Sequence, residues 1–300
     1  MKAETVSLGA SQVRWSDLLD LAKPRITLMV LVTVAAGAFL AAPGALSPVL
    51  LVETLLATGL LASAASALNQ VIEAREDGRM SRTANRPLAA GRLDRGWVAA
   101  GAAASSVLAI LVLGWRANPL AAAIGGATLL SYLFVYTPLK KRTPWATLVG
   151  AVPGALPPVL GWAAVAGELG VGAWVLFGIV FLWQLPHFMA IAWMYRDDYA
   201  RGGFAVLPIR DASGLRTALA MVVPTLLLVA LTTVAPAWGF GSSLTIAGGL
   251  VAGGGFLASS LRFWRRRELA TARTVLLASV LYLPAVLAAV LLDHLPGALG

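Results

Sequence analysis

Apolar residues run through this chain in long stretches, and polar residues gather in short segments between them. The runs fall at about residues 26–41, 49–74, 97–114, 120–136, 146–164, 173–194, 215–236, 244–263 and 274–292. A helix needs about 20 apolar residues to cross a hydrocarbon core of roughly 30 Å, and these runs approach that length. The pattern predicts an all-α polytopic membrane protein, with nine transmembrane helices around a central cavity and a single domain over residues 1–300. Pro24 is tolerable at the head of the first run because first-turn amides have no intrahelical partner. Pro43 and Pro48 mark an uncharged turn before the second run. Pro153, Pro157 and Pro158, with Gly150, Gly154 and Gly161, predict that the fifth helix is kinked or locally opened.

Charge tests the count. Connections that stay in the cytoplasm collect Lys and Arg. With the amino terminus inside, the inner segments hold four, six, three, four and five basic residues, 22 of the 23, and Arg116 alone falls outside. One span more or fewer near the middle would spoil this alternation. The acidic groups Glu73, Glu76 and Asp77, and Asp197, Asp198 and Asp211, fall at the inner ends of the second and sixth runs or just beyond them. That placement predicts two similar halves of four spans facing each other, with a ninth span added.

Composition narrows the chemistry. Charged residues make up 12% of the chain, about half of the roughly 25% typical of soluble proteins. The absence of cysteine excludes disulfides and thiolate metal sites, and His187 and His294 are too few for a multi-histidine centre. The net charge of +9 points to an anionic membrane surface or an anionic substrate, not nucleic acid, because the basic residues interrupt membrane spans. The first 15 residues show no cleavable signal peptide.

The densest polar stretch is NQVIEAREDGRMSRTANRPL, residues 69–88. Asn69, Glu73 and Asp77 fall four apart, which lines them on one helix face. Arg79, Arg82 and Arg86 follow. Oxygen ligands beside guanidiniums suit a magnesium–phosphate pair, since Mg2+ bridges carboxylates to substrate phosphate. Asp198, with Asp197 second, is the candidate for another magnesium across a diphosphate. Lys140, Lys141 and Arg142 join the arginines as cations for a departing diphosphate. His187 lies inside the sixth run, where a polar side chain needs a partner or a task; it either contacts an acceptor or bonds across helices.

These motifs resemble the intramembrane, UbiA-type prenyltransferase superfamily, and within it the protohaem IX farnesyltransferase branch. The matching segments are KPRI at 23–26, the 69–88 stretch, YTPLKKRT at 136–143, VPGALPPVLGWAA at 152–164, WQLPHF at 183–188, RDDYxxGG from 196 and SVLYLP at 279–284. The resemblance implies Asn69, Glu73, Asp77 and Asp198 as catalytic residues and Mg2+ as the cofactor. It implies farnesyl diphosphate and haem B as substrates, and His187, Trp183 and Tyr136 as acceptor contacts. Glu73 departs from the pattern, because many members carry Asp there, and the second motif is less regular than in related branches. A lipid bilayer, specifically a bacterial inner membrane, is the expected setting, with a haem A synthase as a candidate partner. Two other readings remain open: polyprenyl transfer to an aromatic quinone precursor, and secondary transport along polar groups in broken helices.

Overall fold

The computed structural model describes residues 14–42 and 46–295. Most of the segment expected to lack a signal peptide, and Pro43 of the expected turn, lie outside the described residues. In chain order the helices are α1 (Trp15–Ala22), α2 (Pro24–Ala41), α3 (Pro48–Asp77), α4 (Arg95–Ala117), α5 (Pro119–Leu139), α6 (Ala146–Ala166), α7 (Val171–Met194), the short α8 (Arg196–Arg201), α9 (Leu215–Trp238), α10 (Ser243–Arg266) and α11 (Leu269–Asp293). Among the described residues, all but α1 and α8 are long and apolar enough to cross a membrane, nine in number, and there is no strand. The chain is a multi-pass membrane protein.

The helix α1 has no counterpart in the hydrophobic pattern, because its eight residues are too few to form a run. It is amphipathic: Asp17 and Leu21 face inward, while Trp15 and Leu19 are exposed. Gln70, fully buried on α3, donates its amide to the carbonyls of Asp20 and Leu21 at 3.1 and 3.3 Å and fastens the end of α1 to the bundle. The chain then turns sharply at Lys23, which adopts a left-handed φ of 46° before Pro24 starts α2.

The bundle has two principal apolar clusters. One is drawn from α2 to α6 with Ala173 of α7, the other mainly from α7, α9, α10 and α11 with Ala36, Leu40 and Ala155. A smaller cluster near the charged end packs Leu21 of α1 and Ala67 and Ala74 of α3 against Leu88, Leu93 and Val98. The ends of α3 and α5 meet at this charged end through ion pairs, and α8, which follows α7, joins them through Asp198 and Ser81.

Of the two forms expected of the fifth span, local opening is not seen. The helix α6 is unbroken through Pro153, Pro157 and Pro158. Its glycines serve close packing instead. A Cβ at Gly161 would lie 2.0 Å from the Val34 carbonyl oxygen on α2, and one at Gly37 of α2 would lie 2.0 Å from the Pro158 oxygen. Pro158 sits where the backbones of α2 and α6 nearly touch, and packing against neighbouring helices tolerates the three prolines within a continuous helix.

Gly37→Ala and Gly161→Ala should therefore each destabilise the fold by about 1–3 kcal/mol. Gly101→Ala on α4, whose new methyl meets nothing within 4 Å, should be neutral or stabilising. Thermal unfolding in detergent compares them, and equal shifts at all three positions would refute the close-packing account.

Candidate active site

The helix α3 carries its polar ladder to its last residue. Asn69, Glu73 and Asp77 are 2%, 4% and 1% exposed, so the fourfold spacing does place them on one buried face. Each has a partner from a different part of the chain. Asn69 donates to the Thr137 hydroxyl at 3.2 Å, Glu73 pairs with the Lys140 ammonium at 2.6 Å, and both Asp77 oxygens accept from Arg86 Nη1 at 2.8 Å.

Arg86 is delivered by a run of tight turns. The Met80 amide donates to the Asp77 carbonyl, those of Thr83 and Ala84 to the Met80 carbonyl, and that of Arg86 to the Thr83 carbonyl. The Thr83 hydroxyl also donates to the Asp77 carbonyl at 2.9 Å. Burial of Leu88 and Leu93 pins the loop from below, so the chain folds back and sets the guanidinium over a carboxylate nine residues earlier. Lys140 is placed by a wider turn. Residues Ser131–Tyr136 form a π-helical stretch, a rare distortion that clusters at functional sites, and Thr137 donates to the Tyr132 carbonyl across it. Tyr132 and Tyr136 stand 5.7 Å apart, and the Lys140 ammonium lies 4.8 Å from the Tyr136 ring centroid. Burial lowers the Lys140 pKa, with the Glu73 carboxylate opposing that shift.

The second acidic motif closes over the first. Asp198 accepts from the Ser81 amide at 3.0 Å and the Ser81 hydroxyl at 2.7 Å, and pairs with Arg201. The Ser81 hydroxyl is the main cause of its carboxyl being held below the usual range. Arg82 donates to the Tyr199 hydroxyl at 3.1 Å and lies over the Tyr195 and Tyr199 rings. Asp197 is not brought to this cluster. Its side chain is 88% exposed and only 3.8 Å from exposed Arg196, because adjacent helical positions point about 100° apart. Arg79 and Arg142 are likewise exposed, and Lys141 pairs with Glu76 at 2.6 Å on the rim.

Sequence reasoning passed over Lys23 as a site residue. It is partly buried beside Arg86 and Lys140, and beside Asp77 and Glu73. Burial foremost, then the two cations, pulls its pKa down to about 8. The available signal was its place before Pro24, at the charged end of a span. Ser81, Tyr132 and Thr137 were missed because their roles depend on contacts across the fold.

Among the described residues no three acidic or histidine side chains converge as a closed metal site. The donor set of α3 fits magnesium differently. It offers two carboxylates and one amide, all hard oxygen donors, with cations placed to take the remaining charge of an anion. This suits an ion that arrives with a diphosphate and keeps substrate oxygens among its ligands.

A neutral polar group lies on α7. Ser279 of α11 donates its hydroxyl hydrogen to the Leu276 carbonyl at 2.6 Å, so it can only accept from His187 Nδ1 at 2.7 Å. The neutral ring therefore carries its proton on Nδ1 and a lone pair on Nε2. Trp183 donates to the Ser279 carbonyl at 2.6 Å and stacks on the His187 ring at 5.0 Å. Gln184, one turn away, donates to the Ala151 carbonyl of α6 at 3.3 Å, and the Tyr136 ring fills the space beside Gly150. His187 and Tyr136 thus share nearly one depth in the bundle.

Comparison with known proteins gives the following. The profile of the UbiA prenyltransferase family matches residues 30–291. The chain is 45% identical to a protein of Solibacter usitatus named protoheme IX farnesyltransferase, over 94% of this chain and 99% of the relative. Its fold is similar to a solved structure of digeranylgeranylglyceryl phosphate synthase (TM-score 0.78, 14% identity, 93% and 98% of the two chains). It is also similar to that of an Archaeoglobus fulgidus UbiA homolog bound to GPP and Mg2+ (TM-score 0.64, 16% identity, 91% and 99%).

The depressed Lys23 pKa has a pH signature. Between about 8 and 10.5 the unfolded chain binds the extra proton, so stability should rise with pH across that window. The component is absent below about 8, where Lys23 is charged in both states. Lys23→Met should remove this part of the rise in chemical-denaturation profiles, and an unchanged slope in the variant would assign the rise elsewhere.

Proposed function

Because the chain belongs to the UbiA prenyltransferase family, we propose that it transfers the farnesyl group of farnesyl diphosphate to a vinyl group of haem B, giving haem O and diphosphate. The observation that carries this reading is the buried carboxylate face of α3, paired with Arg86 and Lys140 at one end of an apolar nine-helix bundle. An amphiphile with an anionic head and a long apolar tail matches that combination.

Asn69, Glu73 and Asp77 are the residues to hold Mg2+ with the diphosphate. The ion, when bound, neutralises leaving-group charge. The chain's own cations act alongside it: Arg86 offers a planar fork, Lys140 and Lys23 offer point charges, and all three surround the same carboxylates. As phosphate oxygens arrive, these cations can transfer their charge from carboxylate to phosphate without leaving the cluster. Arg82, anchored on Tyr195 and Tyr199, and the rim residues Lys141, Arg79 and Arg142 extend the positive field outward. Asp198 positions the loop that carries Arg82 and Arg86 through its bonds to Ser81.

The allylic C–O bond breaks with its electron pair leaving on diphosphate. The farnesyl carbon is attacked by the vinyl π electrons, and water adds to the resulting porphyrin-side cation with loss of a proton. Tyr136 presents a ring face beside Lys140, with Tyr132 packed next to it, where the positive carbon forms. His187, Trp183 and Tyr136 are the acceptor contacts, with His187 offering its Nε2 lone pair. Preorganised charge aimed at the leaving group is the main source of rate, which accords with the absence of an evident strong base. The excess of Lys and Arg at the site's end supports a cytoplasmic site with the amino terminus on the same side, and on this reading the setting is a bacterial inner membrane. A haem A synthase, which consumes the product, is the partner this reading implies.

Purified protein incubated with haem B, farnesyl diphosphate and Mg2+ should yield a pigment heavier by one farnesyl and one hydroxyl group, detected by chromatography with mass detection. Asp77→Asn and Lys140→Met should each lower kcat/KM by about 10²–10³, and chelation should abolish turnover. Asp197→Ala should stay near the wild-type rate while Asp198→Ala falls well below it. Prenylation of a hydroxybenzoate in place of haem would move the chain to the quinone-precursor branch.

A further inference from the structure

A second cationic site lies at the same end of the bundle, apart from the carboxylates of α3. Trp193, Met194, Arg196, Asp197, Arg267 and Leu269 line a half-open cavity of ≈ 350 Å³ where α7 and α8 meet the α10–α11 turn. Its floor is Trp193, 7% exposed and packed edge-to-face on Phe263 at 5.2 Å. The Arg196 guanidinium lies 5.0 Å from the Trp193 ring centroid.

Arg267 is the unusual member. It follows the last turn of α10 with a left-handed φ of 51°, its amide donating to the Phe263 carbonyl at 2.7 Å. Glycine is the usual residue at this position, because a side chain there is strained. The arginine stem is packed against Gly214, where an added Cβ would meet Arg267 Cδ at 3.1 Å and the Trp193 ring at 2.7 Å. Among the described residues the half-buried Arg267 makes no ion pair and no side-chain hydrogen bond. Arg196 has only its 3.8 Å approach to solvent-exposed Asp197. The two side chains pack on Trp193 and Gly214, yet among the described residues neither guanidinium is neutralised by a buried carboxylate, and a strained residue carrying such a charge points to a ligand.

The position selects the ligand. Met194 is seven residues, about two turns, from His187 and so on the same face of α7. Leu269 starts α11, whose Ser279 accepts the hydrogen bond of His187 Nδ1. The cavity is thus the outer end of the α7–α11 seam that holds His187. We propose that Arg196 and Arg267 bind the carboxylates of the acceptor, so that haem B enters the seam with its propionates outward at this cavity. The proposal rests on the haem-farnesylation reading above. Guanidinium forks match carboxylates, and the indole supplies an apolar wall for the adjoining macrocycle edge.

The test uses the full chain in nanodiscs and two probes, haem B and its dimethyl ester, with binding followed at the Soret band. The wild type should prefer the free acid by about tenfold, as loss of charge-assisted hydrogen bonds implies. Arg196→Gln and Arg267→Gly should erase that preference and leave farnesyl diphosphate affinity unchanged. Arg267→Gly carries its own folding control, because glycine accepts the left-handed turn and should hold or raise the melting temperature. Equal binding of acid and ester by the wild type, or a preference that survives Arg267→Gly, would overturn the proposal. Unchanged haem binding with loss of co-purifying anionic phospholipid would also overturn it, reassigning the cavity to a lipid phosphate. Turnover on the same samples separates the two levels: farnesylated pigment without acid–ester discrimination sinks only this site, whereas no farnesylated pigment sinks the underlying reading.

Discussion

Burying two carboxylates at the end of an apolar bundle is the constraint on which the rest of this structure depends. Glu73 and Asp77 are almost wholly removed from solvent, and an unpaired buried charge costs about 3–5 kcal/mol when one partner of an ion pair is lost. The chain meets the constraint from two directions. The loop after α3 folds back to bring Arg86 to Asp77, and the π turn of α5 brings Lys140 to Glu73. Lys23 joins them at the α1–α2 turn. The same pairing that allows the carboxylates to be buried keeps the cations desolvated. They are held where an incoming diphosphate meets them with little water left to displace.

The parts of this arrangement that were legible in the sequence are those with short-range causes. Nine spans follow from nine apolar runs. The shared face of Asn69, Glu73 and Asp77 follows from fourfold spacing on a continuing helix. Contacts between distant segments were not legible as pairs. Arg79, Arg82 and Arg86 look equivalent as a run, yet the turns between them send one to Asp77, one to two tyrosine rings and one to solvent. Asp197 and Asp198 are neighbours in sequence and opposite in role, because α8 begins with one facing the loop and the other facing water. The proline-rich α6 was half legible for a related reason. Helix breakers announce a local weakness, whereas the close approach of Val34 to Gly161 and of Pro158 to Gly37 is a property of α2 and α6 together.

The site is also layered by depth, which follows from dielectric cost. Its ionic groups lie at the mouth. One turn deeper the polar groups are neutral and satisfied by one another: Asn69 with Thr137, His187 with Ser279, Trp183 with the Ser279 carbonyl, and Gln184 with α6. Neutral hydrogen-bonded pairs tolerate an apolar surrounding that isolated charges do not. This gradient sorts a two-ended substrate without a dedicated gate. An anionic head is stable only in the ionic layer, and the carbon chain attached to it must extend into the neutral one. The bond between them therefore lies at the boundary, where Tyr136 and Lys140 meet. Cleavage there leaves the anion among cations and the positive carbon among aromatic faces, so each half of the separating charge is formed in the layer that stabilises it.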